Sequence, residues 1–216
     1  SAATGATYKY VNAGLLQNKG IELNLNVSPV ATENFKWDIT LNWAKNNNKI
    51  VRLTTDQKTM VLANASFAVQ LEAREGESCG SFGGFCFVYN EKGQKVVNED
   101  GVYLRSDDQK VLGSVLPSFT GGVINAFRYK GFNLSALVDF QKGGSFFSTT
   151  QMFGRETGIL EETATGSIRE DGIIAEGVKE DGTPNDVVIS ARTHYSSNGN
   201  GGYNINSIDV VDASYI

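Results

Sequence analysis

The sequence predicts an all-β fold: an antiparallel transmembrane β-barrel segment of two hairpins plus the start of a further strand, with two long extracellular loops. Three observations predict it. Apolar and polar residues alternate along four stretches, strictly so in the first, the phase of that alternation obeys the parity each hairpin requires, and tight turns alternate with very long connections.

The first hairpin begins near Lys19. Ile21, Leu23, Leu25 and Val27 are apolar while Glu22, Asn24, Asn26 and Ser28 are polar, the period-two pattern of a strand whose faces meet different media. Pro29 to Asn34 reads as a turn. The next stretch sets Phe35, Trp37, Ile39, Leu41 and Trp43 on one side and Lys36, Asp38, Thr40 and Asn42 on the other, and Asn46-Asn47-Asn48 closes it with turn chemistry. In the second hairpin Phe119, Val123, Phe127 and Tyr129 share a face, as do Phe132, Leu134, Ala136, Val138 and Phe140. Lys130-Gly131 sits between them as a two-residue turn, with Gly free to adopt positive φ.

Parity tests this reading. A two-residue loop pairs Tyr129 with Phe132, Phe127 with Leu134 and Val123 with Val138, so the apolar phase must pass from odd to even numbers, and it does. In the first hairpin the phase stays odd, which needs an odd loop; the five residues from Val30 to Asn34 satisfy it. The expected strands are 19–28, 35–46, 118–129, 132–142 and 208–216, all within one barrel domain over residues 1–216, and the expected long loops are 47–117 and 143–207. Strands of about ten residues suit a tilted bilayer crossing.

A soluble, secreted β-sandwich that binds carbohydrate is the alternative, with bulk water on the polar face and a second sheet on the apolar one. The long loops weigh against it, because compact sandwiches rarely carry two such insertions, whereas outer-membrane barrels pair short turns on one side with long loops on the other. Aromatic residues also gather at the strand ends: Phe35, Trp43, Phe119, Tyr129, Phe132 and Phe140. Within the loops, Ser81 to Tyr89, Lys95-Val96-Val97 and Val187 to Ala191 are short strand candidates, and Glu-Asp-Gly at 99–101, 170–172 and 180–182 marks turns.

Bulk composition agrees. The 216 residues hold 10% aromatic and 20% charged residues, which is not a disordered composition, and 24 Gly against 3 Pro suits a turn-rich β chain. A net charge of −5 disfavours nucleic acid as a partner. No run of 18 apolar residues offers a transmembrane helix, and the mean hydropathy of −0.23 is ordinary for barrel strands. There is no signal peptide, and the ends at Ser1 and Ile216 read as cuts.

Catalytic and metal sites find no support. The single histidine, His194, has no Gly-x-Ser-x-Gly elbow to serve; Asn98-Glu99-Asp100-Gly101 lacks the spacing of a calcium loop; two Cys and one His cannot complete a four-ligand zinc site. No phosphate loop or dinucleotide fingerprint appears, and no cofactor is implied. The expected lipid-facing residues are Ile21, Leu23, Leu25, Val27, Phe35, Trp37, Ile39, Leu41, Trp43, Val123, Phe127, Leu134, Val138 and Phe140. The expected lumen or substrate-facing residues are Glu22, Lys36, Asp38, Arg128 and Asp139, with Asn24, Asn26, Asn42, Asn133 and Gln141 beside them. Loop aromatics Phe82, Phe85, Tyr103, Phe146, Phe147 and Tyr203 are candidates to stack on a ligand.

Several stretches carry a family resemblance. Tyr10 to Gly14 leading to Gln17 through Leu23, the Trp-Asp-x-Thr-Leu-Asn-Trp of residues 37–43, Arg74-Glu75-Gly76, Gly80 to Phe85, Pro117 to Gly122, Phe127 to Phe132, Gln141 to Gly144, Asp181 to Asn185 and Asp212 to Tyr215 resemble, in that order, a segment of SusC/RagA-type TonB-dependent outer-membrane transporters. Each motif is generic; together they span almost the whole chain. The resemblance implies a fragment from the C-terminal half of a 22-stranded barrel in the cell outer membrane, with its plug domain absent from this chain. It further implies import of a bulky nutrient, an oligosaccharide or peptide, a SusD-like surface lipoprotein as partner, and TonB acting through the missing N-terminal part. Cys79 and Cys86 flank six residues of a loop expected outside the cell and are not usual in the family pattern, which suggests a disulfide.

Overall fold

The computed structural model describes residues 14–54, 57–64, 69–195 and 205–216. In chain order, two long strands come first, β1 (Leu15–Ala31) and β2 (Phe35–Arg52). Shorter strands follow: β3 (Thr59–Asn64), β4 (Gln70–Arg74), β5 (Ser81–Gly84), β6 (Val96–Val97) and β7 (Lys110–Ser114). Two further long strands, β8 (Pro117–Tyr129) and β9 (Phe132–Gly143), lead into β10 (Ser145–Phe147) and the helices α1 (Thr149–Thr157) and α2 (Ile168–Asp171). The last elements are β11 (Ile173–Ile174), β12 (Val178–Lys179), β13 (Val188–Ile189), helix α3 (Ala191–Tyr195) and β14 (Val210–Asp212).

The long strands form one antiparallel wall in the order β1-β2-β8-β9. The β8–β9 turn has positive φ at both central residues, 43° at Lys130 and 92° at Gly131, the mirror-image turn whose twist matches flanking strands. Tyr129 therefore faces Phe132, Phe127 faces Leu134 and Val123 faces Val138. Between the hairpins Trp37 faces Phe127 and Leu41 faces Val123. The two turns meet at one end of the wall, where the Lys130 N–H donates to the Asn34 carbonyl at 3.1 Å.

The first hairpin departs from the expected five-residue loop. Strand β1 runs through Pro29 to Ala31, with a bulge between Val27 and Val30. Proline has no N–H for the ladder, so it is held where β1 bulges at the edge of the described sheet. The remaining turn is clasped by Thr32, whose hydroxyl accepts the Phe35 N–H at 3.0 Å. The strands are also longer than their alternation suggested. Asn46-Asn47-Asn48 is strand, not turn, paired with Gly20, Lys19 and Asn18. Cross-strand carboxamide bonding explains this: Asn48 Nδ2 donates to Asn18 Oδ1 at 2.7 Å.

Wall packing turns on two adjacent glycines. Phe140 lies over Gly121 so closely that a Cβ there would stand 2.5 Å from Cζ and 2.9 Å from the Asn42 carbonyl oxygen. A Cβ on Gly122 would meet its nearest neighbour, Asp139 Oδ1, at 3.4 Å, an ordinary contact. Gly121→Ala is therefore expected to destabilise the full-length protein by about 1–3 kcal/mol through overpacking, and Gly122→Ala to be near neutral. Unfolding midpoints in detergent would check this; equal midpoints would refute the steric account.

The connections expected as loops, 47–117 and 143–207, are largely folded. Strands β3-β4-β5-β7 make a second four-stranded sheet, β6 pairs with β12 in parallel, and β11-β13 and β10-β14 pair as antiparallel ribbons. The first connection thus binds the second: Val96 faces Val178, the Phe85 N–H donates to Asn206 Oδ1 at 3.0 Å, and Tyr103 Oη donates to the Glu176 carbonyl at 3.0 Å. The expected strand 208–216 is broken. Asn206–Asp209 forms a 3₁₀ turn, β14 pairs with β10, and Tyr215 bridges to Gln141 on the outer edge of β9. Residues 1–13 and Tyr203 lie outside the described residues.

Cys79 and Cys86 are free thiols, and the expected disulfide is not formed. The strand Ser81–Gly84 runs between them. Four extended residues span ~13 Å, against the ~7 Å that bridged Cα atoms tolerate. Cys79 instead packs on Ile50, Leu53 and Ala73, and the Cys86 N–H donates to Ser106 Oγ at 3.2 Å.

Candidate functional site

The wall separates two chemistries. On one face the register aligns Leu23 with Trp43, Leu25 with Leu41, Val27 with Ile39, Trp37 with Phe127 and Val123 with Val138. No second sheet covers this face among the described residues: Leu23 is 49% exposed, Leu134 66% and Phe132 80%. A soluble sandwich would bury such a surface. Its aromatic rings cluster at the two ends. Phe35 and Trp37 stack with Phe127 near the turns, and Phe119 packs against Trp43 and Phe140 near the long connections. Phe35 and Trp43 are eight residues apart on one strand, ~26 Å along its axis.

One polar residue interrupts this face in a way the alternation did not reveal. Asn125 lies opposite Ile39, and its Oδ1 accepts the Trp37 indole N–H at 3.2 Å. Each partner thereby removes the other's unmet hydrogen bond.

The opposite face carries Glu22, Lys36, Asp38, Arg128 and Asp139, together with the asparagines. Thr40 Oγ1 donates to Asn26 Oδ1 (2.8 Å), Asn26 Nδ2 to Asn24 Oδ1 (2.8 Å) and Asn24 Nδ2 to Asn42 Oδ1 (2.7 Å). Nearer the turns, Asp38 takes an ion pair from Lys36 at 2.8 Å and a hydrogen bond from Ser28 Oγ. Asp139 Oδ2 accepts the Tyr215 hydroxyl at 3.0 Å. Ile124 and Leu137, neither a sequence candidate, face one another here as an apolar pair. A groove of about 700 Å³ crosses this face, lined by Glu22, Asn24, Asn42, Thr120, Gly122 and Asp139 among others.

The loop aromatics divide. Phe82 is buried, the Arg105 guanidinium lies 4.2 Å over Phe85, and Phe146 is half-exposed on β10. Tyr103 joins a cluster that sequence reasoning missed: Phe87 is 4.8 Å from it edge-on, His194 lies 5.7 Å away, and Lys95 Nζ sits 4.2 Å over Phe87. Burial first, and then Lys95, hold the His194 imidazole below its ordinary pKa. Burial likewise pushes Tyr103 up. Beneath this cluster Arg155 pairs with Asp209 at 2.5 Å and with Glu162 at 2.7 Å. Asp209 is fully buried, and burial pushes its carboxyl up to about 6 against the pull of Arg155. The Arg155–Asp209 contact joins positions 54 residues apart, a distance at which local sequence patterns are silent.

An antiparallel wall with one exposed apolar face and one hydrogen-bonded polar face is the strand chemistry of outer-membrane barrels, and known proteins point the same way. No protein-family model matches the chain. It is 28% identical over 169 residues to TonB-dependent receptor P3 of Formosa agariphila, covering 68% of this chain and 17% of that receptor. It is 26% identical over 136 residues to TonB-dependent receptor SusC of Bacteroides thetaiotaomicron, covering 57% of this chain and 14% of that one. In fold it is similar to a chain of the RagAB peptide importer in its closed-closed state, with a TM-score of 0.64 and 17% identity over 99% of this chain and 23% of that one. The chain is a SusC/RagA-like segment of the TonB-dependent receptors, proteins of the outer membrane. It spans 14–17% of the length of these curated relatives.

Proposed function

We propose that this chain forms part of the wall and the folded outer loops of an outer-membrane importer that moves a bulky nutrient, an oligosaccharide or a peptide, with energy delivered through TonB and with a SusD-like surface lipoprotein as partner. The observation that carries it is the two-faced wall. In this reading Ile21, Leu23, Leu25, Val27, Phe35, Trp37, Ile39, Leu41, Trp43, Val123, Phe127, Leu134, Val138 and Phe140 meet lipid. Glu22, Lys36, Asp38, Arg128 and Asp139 meet the lumen or the solute, and the aromatic clusters sit at the two membrane–water boundaries. The chemistry is binding and passage, not bond-breaking. Cells making the full-length protein should accumulate its solute, and deleting TonB should abolish that accumulation. Accumulation unaffected by loss of TonB would overturn the reading.

A further inference from the structure

The two long connections meet along a seam whose ties differ in kind. The Lys95 carbonyl accepts the Val178 N–H at 2.9 Å, Asn206 Oδ1 accepts the Phe85 N–H, and the Glu176 carbonyl accepts the Tyr103 hydroxyl. None of these groups changes charge near neutral pH, and burial moves the Tyr103 phenol still further from that range. A further tie does. Helix α3 brings the chain's single histidine, His194, against Tyr103 with the rings 5.7 Å apart, and Tyr195 lies edge-on to the imidazole at 4.7 Å.

This position suits a neutral imidazole and resists a charged one. Lys95 Nζ already lies over the Phe87 and Tyr103 rings, at 4.2 and 5.1 Å, and makes no ion pair among the described residues. A cavity of about 210 Å³ beside His194 is lined by the charged side chains of Lys95, Arg155 and Glu162 and by Tyr103 and Tyr195. Arg155 holds both Glu162 and Asp209, so the anion on this side is already claimed. The remaining charges of the packed helices are directed elsewhere. Glu156 of α1 lines a different cavity, Arg169 of α2 donates to the Gly158 and Thr163 carbonyls, and Glu170, Asp171 and Arg192 are exposed. Neither nitrogen of the His194 ring has a hydrogen-bond partner among the described residues, whereas an imidazolium carries two N–H donors. A proton on His194 would therefore stand beside Lys95 without an acceptor.

We propose that His194 is an acid-sensitive latch: neutral, it docks α3 on the cluster of Phe87, Lys95 and Tyr103 and helps bind the second connection to the first; protonated, it is expelled and that seam loosens. The latch belongs to the connections and does not depend on the import reading. Burial first, and then Lys95, hold the docked imidazole below its ordinary value of 6.5, against the opposite pull of Glu162. As pH falls below 6.5 the undocked helix binds more protons than the docked one. Docking is thus at full strength above that value and weakens below it. The backbone ties at Val178 and Phe85 carry no such dependence, so acid loosens the seam at α3 without dismantling it.

The test is amide hydrogen exchange, read by mass spectrometry, on the purified full-length receptor in detergent between pH 7.5 and 5. Wild type, His194→Gln and Lys95→Met are compared at each pH, so the intrinsic pH dependence of exchange cancels. Asp209, which titrates near 6 with the opposite sign, is common to all three. At pH 7.5 the wild type should protect α3 and the stretch from Phe87 to Tyr103. At pH 5 exchange there should be roughly tenfold faster in the wild type than in His194→Gln. Lys95→Met, which keeps the aliphatic stem and removes the neighbouring cation, should need a lower pH than the wild type to loosen. If His194→Gln is already loose at pH 7.5, Lys95→Met decides. Wild-type exchange that follows His194→Gln at every pH, with both protected at pH 7.5, overturns the proposal. A Lys95→Met profile that coincides with the wild type overturns it too, as does acid loosening that spreads equally to β8 and β9.

Discussion

Arginine at Leu41 or Val138 should destabilise the full-length receptor by about 2–4 kcal/mol each, because a guanidinium on the proposed lipid face, near the midplane that this reading assigns, loses its water and gains no partner. Leu41 lies on β2, opposite Val123, and Val123 is itself opposite Val138, so the two sites share a row at the centre of the apolar face. Both stand between the aromatic cluster at Phe35, Trp37 and Phe127 and that at Trp43, Phe119 and Phe140. Arginine at Phe132, the first residue of β9 after the turn, should cost roughly 0–1 kcal/mol, since near the boundary the side chain reaches water. The measurement is denaturant unfolding of the receptor reconstituted in lipid. The depth dependence is the discriminating result. Equal costs at the three sites would indicate ordinary core packing, and no cost at Leu41 and Val138 would remove the lipid face altogether.

The wall was legible in the sequence because its information is local and redundant. Each face of β8 and β9 repeats every second residue, so one register satisfies many side chains at once and a slip of one residue violates them all. What was not legible has identifiable causes. The ends of β1 and β2 were set too short because Asn46 to Asn48 have turn composition, yet they sit in strand through amide bonds to a partner strand far away in sequence. Pro29 reads as a breaker until the bulge that accommodates it is seen. Strands of two to five residues, such as β6 or β13, are too short for alternation to register above chance. The groove on the polar face depends on the row from Asn24 through Asn42 and Gly122 to Asp139, and that row exists only once two separate hairpins are set side by side.

Removing the guanidinium of Arg155 should have the largest effect in the long connections. Asp209 is fully buried, Arg155 is its ion-pair partner, and Asp209 Oδ2 has no hydrogen bond among the described residues. Arg155 also holds Glu162 and donates to the Ile208 carbonyl at 3.3 Å, while the Asp209 carbonyl accepts the Ser148 N–H at 2.7 Å just before α1. The cluster thus ties the two stems of the second connection together. Arg155→Met keeps most of the side-chain volume but leaves a buried carboxylate uncompensated, so a loss of about 3–5 kcal/mol is expected at neutral pH. The pH dependence follows from Asp209. Its carboxyl titrates near 6 in the folded protein, above the ordinary value of 3.8, so between these values the folded state binds more protons than the unfolded one and stability rises as pH falls. Without the guanidinium this group protonates still more readily, and the variant's deficit should shrink as pH drops from 7.5 to 5. Protease sensitivity of the loops, followed across that range beside the wild type, reads the effect directly. A deficit independent of pH would show that Arg155 acts through its packing and its carbonyl contact, and that the buried charge at Asp209 contributes little.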